Sequence, residues 1–147
     1  MSLADILNSR ANELEAPKPI PVGHYIARVG SIGRFSQVGA DNKDVVDFDI
    51  ILLQADEDVD PDAVRELSAP IAGRKMRGRF FLHDTDAAYR FKENFLAKLG
   101  LDTTKTLLEL CNEANGAQVK VKITQRTYTP PGGEPQIMAD IGGYVAI

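Results

Sequence analysis

Four side chains at alternate positions, Lys75, Arg77, Arg79 and Phe81, put three cations and an aromatic ring on one face of any strand that carries them. Cations at that spacing can follow a phosphate backbone, and a ring beside them can stack on an exposed base for roughly 1–3 kcal/mol per base. A second set, Lys120, Lys122, Arg126 and Tyr128, repeats the arrangement nearer the end of the chain. If the two strands align their basic faces they make one groove. If they do not, alternate lysines protect a sheet edge from aggregation and the first set solubilises an outer face. Arg28 and Arg34, in an earlier extended segment, join the candidate phosphate contacts. Tyr25 and Phe35 of that segment are further rings, suited to stacking or to core packing.

Few other residues offer chemistry. His24 and His83 are the only histidines, and neither has the His/Glu helix spacing of a metal site or a nucleophile elbow nearby. Asp47 and Asp49 share a strand face and are the one foothold for a Mg²⁺-dependent nuclease. Carboxylates at alternate strand positions are common, and these two are expected to face away from a basic groove or to pair with Arg or Lys on a neighbouring strand. The acidic loop Asp56, Glu57, Asp58, Asp60 lacks the turn glycine and distal glutamate of a calcium loop and reads as a solvated loop. Neither Gly132-Gly133 nor Gly142-Gly143 opens a helix, so these pairs suit bends and turns better than phosphate cradles. The expectation is a binding module with no catalytic residue, no metal and no cofactor.

The elements that must hold the basic residues are mostly strands. Residues 2–15 read as a short helix capped by Ser2, with Leu3, Ile6, Leu7 and Leu14 on one face, ended by Pro17, Pro19 and Pro21. Residues 25–35 read as a first strand with Gly30 and Gly33 marking a bulge or bend, paired as a hairpin with an apolar strand over 45–53. After the acidic loop and a weak helical turn near 63–67, the third strand starts at Gly73; Met76, Phe80 and Leu82 point opposite to its cations. Asp84 caps a helix to Leu99 with Ala87, Ala88, Phe91, Phe95 and Leu99 as its apolar stripe and Gly100 as its stop, and a second helix spans about 103–115. Val119, Val121 and Ile123 face inward from a fourth strand over 117–128, and Pro130-Pro131-Gly132-Gly133 turns the chain into a fifth from about 136. This order predicts a β-rich α+β fold: a five-stranded Greek-key barrel of the oligonucleotide-binding type, with helices between its third and fourth strands. Residues 1–20 are then an N-terminal helix with a proline-rich connector, and 21–147 the barrel domain.

Composition agrees with one domain of ordinary globular character: 147 residues, 44% hydrophobic and 26% charged. No apolar run approaches the roughly 20 residues of a membrane-spanning helix, and no basic-then-apolar leader opens the sequence, so the expected location is the cytoplasm. The single Cys111 can form neither an internal disulfide nor a cysteine metal cluster, consistent with a reducing compartment, and packs on a helix. The net charge of -4 conceals an uneven distribution. Residues 1–62 hold 5 Lys/Arg against 12 Asp/Glu, whereas residues 63–126 hold 12 against 7. The middle of the chain is a basic island in an acidic protein.

Pro21-Val22-Gly23-His24-Tyr25 at a first strand, Gly73-Arg74-Lys75 before a third strand ending Phe80-Phe81-Leu82, and a helix followed by Gly116 to Ile123 resemble a family of small phage proteins from replication and recombination modules, similar to single-stranded DNA-binding proteins. The resemblance covers about residues 20–145. It implies an oligonucleotide-binding fold, single-stranded DNA as partner, a place in phage DNA replication, recombination or repair, and the host cytoplasm as location. Replication or recombination proteins and further copies of the chain are the other partners expected. Many single-strand binders recruit enzymes through an acidic tail; this sequence ends Gly142-Gly143-Tyr144-Val145-Ala146-Ile147, and the loop at 56–62 is the candidate substitute. The rival to this reading, besides the nuclease, is a phage virion or assembly protein.

Overall fold

The alternation of apolar and polar residues produces a β-rich structure: an open, antiparallel six-stranded sheet with a few helices. The computed structural model describes residues 2–13 and 17–147. The strands are β1 (Gly23–Val29), β2 (Arg34–Val38), β3 (Lys43–Ala55), β4 (Lys75–Phe81), β5 (Gln118–Tyr128) and β6 (Gln136–Val145). The helices are α1 (Leu3–Leu7), α2 (Pro61–Arg65), α3 (Thr85–Phe91) and α4 (Leu107–Glu113).

The thirteen-residue β3 organises the sheet. Along one edge it pairs with β2 through residues 43–47 and with β1 through 50–55; along the other it pairs with β4 through 45–51. β1 continues to β5, and β5 to β6. The sheet therefore runs β4, β3, β1 with β2, β5, β6. The expected first strand is split in two. At Gly33 an added Cβ would stand 2.8 Å from Val46 and 3.0 Å from Cys111 Cβ, so only glycine lets the chain pass this close, and the peptide N–H of Gly33 turns out of the ladder to donate to the Cys111 carbonyl.

Even-numbered residues of β3 (Val46, Phe48, Ile50, Leu52) and odd-numbered residues of β5 (Val119, Val121, Ile123) supply the core with Tyr25, Ala27 and Val29 of β1. The Tyr25 hydroxyl donates to the Pro21 carbonyl at 2.7 Å, and burial pushes its pKa up to about 12. That bond, together with Gln125 Nε2 donating to the Ile20 carbonyl at 3.0 Å, ties the proline connector to the sheet and seats Ile20 in the core.

The segment after β4 begins as expected: the Asp84 side chain accepts from the Ala87 N–H at 2.7 Å and caps α3. It is not one uniform helix, however. A π-helical turn at Lys92–Leu96 and a 3-10 turn at Ala97–Leu99 follow before Gly100 closes the segment at φ 75°. The wider π turn buries the consecutive residues Phe95 and Leu96 together. α4 starts four residues later than the pattern predicts, because Asp102 accepts from both the N–H and the hydroxyl of Thr104 and holds that stretch as a turn. Cys111 is buried on α4, as expected.

α1 is shorter than the predicted helix, and its capping box of Ser2 and Asp5 is present. Leu3, Ile6 and Leu7 are exposed there, and Leu14 lies outside the described residues. Among the described residues no helix is long and apolar enough to cross a membrane. Phe95, fully buried and in ring contact with Phe48, Phe80, Phe91 and Tyr144, anchors the helical segment to the sheet. Replacing it with Ala is expected to cost about 3–5 kcal/mol, read as a lower midpoint in urea denaturation.

Candidate nucleic-acid interface

β4 and β6 are the two ends of the sheet, and no ladder joins them among the described residues. Between them lies a groove of about 770 Å³ whose far wall is the helical segment after β4. Its floor is aromatic: Phe80 of β4, Phe91 of α3 and Tyr144 of β6, with Phe80 and Tyr144 centroids 5.6 Å apart. Its rim is cationic, with Arg77 and Arg79 from β4 and Arg90 and Lys98 from the helical segment. His83, Asn94 and Phe81 complete the side facing solvent, and Phe81 is 43% exposed with its ring edge-on to His83 at 5.8 Å. Asp140 is the one carboxylate lining the groove among the described residues, and Arg126 Nε holds it at 2.5 Å.

The ten residues singled out in the sequence do not share one surface. Lys75, Arg77, Arg79 and Phe81 lie on the outer face of β4, and the last three line the groove. Lys120 and Lys122 are on the same outer side of the sheet, but β3 and β1 stand between β4 and β5. Across that gap the register sets Lys75, Ile51, Arg28 and Gln118 side by side on four successive strands, so Arg28 bridges the two basic strands. Lys122 lies opposite Gly143 of β6, directly behind the groove wall. Tyr128 is 42% exposed at the outer end of β5, with the Arg126 guanidinium 5.9 Å from its ring centroid.

Ion pairing divides the cations further. Arg79 makes a two-point contact with Asp47, Nε to Oδ1 at 2.8 Å and Nη2 to Oδ2 at 3.0 Å. Arg34 Nη2 reaches Asp49 at 3.0 Å, so Asp47 and Asp49 are both held by arginines of neighbouring strands. Lys120 pairs with Asp56 at 2.7 Å, and Asp58 of the same loop accepts from the His24 N–H at 2.9 Å and contacts its ring at 2.7 Å. Lys75, Arg77, Arg28, Lys122, Arg90 and Lys98 make no ion pair among the described residues. Among those residues, too, no three His, Cys, Asp or Glu side chains cluster as metal ligands.

Sequence reasoning missed Arg90, Asn94 and Lys98, although their four-residue spacing places them on one side of a helix. Attention to the apolar stripe hid them. Tyr144 was missed because Gly142 and Gly143 make its strand look broken. No protein-family model and no curated protein matches the chain.

The hydrogen bonds from Arg79 hold the Asp47 carboxyl below its ordinary pKa. A carboxyl that titrates lower in the folded chain than in the unfolded one stabilises the fold fully above the ordinary carboxylate value, and this is lost as pH falls through the depressed value. Asp47→Asn is therefore expected to destabilise by about 1 kcal/mol at pH 7. In denaturant titrations the gap to the parent protein should close as pH falls below 4, and a gap independent of pH would refute this assignment.

Proposed function

We propose that the chain is a single-stranded DNA-binding protein with little dependence on sequence, and that the groove between β4 and β6 is where the strand is held. The observation that carries this reading is the convergence of Arg77, Arg79, Arg90 and Lys98 on an aromatic floor beside the exposed ring of Phe81. The cations take phosphates and Phe81 stacks on a base, which is how single strands are bound without base readout. Three of these cations make no ion pair among the described residues, so none of those pairs must break when a phosphate arrives. No covalent chemistry and no cofactor belong to this function.

The strand order supports an oligonucleotide-binding barrel. With β1 and β2 counted as one bent strand, the order β4, β3, β1, β5, β6 is the one that a five-stranded Greek-key barrel of this type would need, which is what favours that reading of the open sheet. The resemblance to phage single-strand binders, carried by the motifs around Gly23, Lys75 and Gly116, agrees with this reading and suggests a role in phage DNA replication, recombination or repair in the host cytoplasm.

Fluorescence anisotropy with labelled single-stranded and duplex oligonucleotides at two salt concentrations tests the proposal. The single strand is expected to bind more tightly than the duplex, with affinity falling as salt rises. Arg77→Ala/Arg90→Ala/Lys98→Ala is expected to flatten the slope of log K against log salt by about 2, because each lost phosphate contact removes about 0.7 for a single strand. Lys120→Ala, which removes a cation already paired with Asp56, should change affinity less than twofold. No binding at low salt would overturn the proposal.

A further inference from the structure

The floor of the groove has a feature that phosphate binding does not require. Tyr144 spans the seam: its ring packs on Phe80 and Phe95, and its hydroxyl reaches across to β4 at Gly78, where an added Cβ would stand 2.7 Å from the oxygen. That hydroxyl makes no hydrogen bond among the described residues, yet it is not sealed off, since no fully buried side-chain polar atom lacks a partner. Burial raises its pKa well above the ordinary phenol value, so it stays protonated and able to donate. Asn94, on the helical wall, likewise makes no hydrogen bond among the described residues. On the β6 side the wall is bare at one position. Gly143 lines the groove, and a Cβ added there meets nothing within 4 Å.

We infer that the seam between β4 and β6 is a base-insertion slot: one nucleobase of the bound strand enters beside Gly143, lies over Tyr144 and exchanges hydrogen bonds with the Tyr144 hydroxyl and the Asn94 amide. Arg77, Arg90 and Lys98 hold the flanking phosphates. The inference rests on the nucleic-acid reading above and deepens it, because a base held at its polar edge gives a preference among bases that stacking and phosphate contacts do not. The groove volume of about 770 Å³ suits this role, falling within the roughly 300–1,000 Å³ of small-ligand pockets. A hydroxyl and an amide with no protein partner can exchange their bonds to water for bonds to a polar ligand edge without breaking an internal one.

The test compares the full chain with Tyr144→Phe and Gly143→Leu against dT, dA, dC and dG homopolymers and an abasic strand of equal length, at one low salt concentration. Denaturation midpoints confirm that the variants are folded. Gly143→Leu fills open space at a position without positive φ, and Tyr144→Phe keeps the ring packing. Expected are a spread of threefold or more among the homopolymers, collapse of that spread to within twofold in Tyr144→Phe, and a tenfold or greater loss for every homopolymer in Gly143→Leu. Equal affinity for all four bases, a spread retained in Tyr144→Phe, or full affinity in Gly143→Leu would overturn the slot; salt-sensitive binding that persists in those cases leaves the cationic groove standing. Absence of binding to any strand overturns both.

Discussion

A cluster of five rings holds the two ends of the sheet in register. Phe48 of β3, Phe80 of β4, Phe91 and Phe95 of the helical segment and Tyr144 of β6 are linked by centroid separations of 4.5–6.1 Å. Such contacts add about 0.5–1.5 kcal/mol each beyond the area they bury. They do here what a hydrogen-bonded ladder would do in a closed barrel, with one difference. A ladder would draw β4 and β6 to about 4.8 Å and leave no space between them, whereas side-chain contacts beneath the seam fix its width and leave it open above. The groove is thus a consequence of how the core is fastened, and its cations are carried by the same two elements, β4 and the helix, that the rings clamp together.

Charge on the outer face follows from the register of β3. Asp47 stands opposite Arg79 on one side and Arg34 on the other, and Asp49 stands opposite Arg77. Cross-strand opposition would pair Asp49 with Arg77, but Arg34 lies one pair along on the other neighbour and takes Asp49 with support from the Ser31 hydroxyl, which accepts from Arg34 Nη1 at 3.0 Å. Arg77, at the mouth of the groove, thereby makes no ion pair among the described residues. Two aspartates that on their own would repel a phosphate chain are neutralised in place, and the arrangement sets which arginine stays available.

Much of the fold was legible because alternation and capping are local. Val119, Val121 and Ile123 facing inward, Asp84 starting a helix, and Gly100 stopping it follow from period and backbone preference within a few residues. The division of the first strand was half legible: Gly30 and Gly33 announced a break, but the carbonyl of Cys111 that receives the turned-out N–H of Gly33 lies 78 positions away. The site was legible to the extent of Arg77, Arg79 and Phe81. Alternation reports which face a side chain occupies and not which strand lies beside it, so two basic strands with identical patterns looked equivalent. The neutralisation of Lys120 by Asp56 and of Arg126 by Asp140 depends on partners 64 and 14 positions away. Helical Arg90 and Lys98 reach the same groove as strand Arg77 only because the chain returns along the seam.

The acidic half of the sequence then explains how a protein of net charge -4 can present a groove with a cationic rim. Its densest run, Asp56 to Asp60, is pinned to β1 and β5: Asp58 holds His24 and Asp56 holds Lys120, and hydrogen bonds from those partners depress both carboxyl pKa values, so the loop stays charged. This negative charge is thus fixed against strands that do not border the groove, while β4 carries three cations and no carboxylate. For the polyanion proposed above, repulsion from the loop and attraction to the groove would act from different strands. Over distances near the Debye length, about 8–10 Å at physiological salt, this favours one orientation of approach over its reverse. The loop read from sequence as merely solvated is, by that argument, the counterpart of the groove, and the one cation it pairs with on β5, Lys120, is neutralised in place.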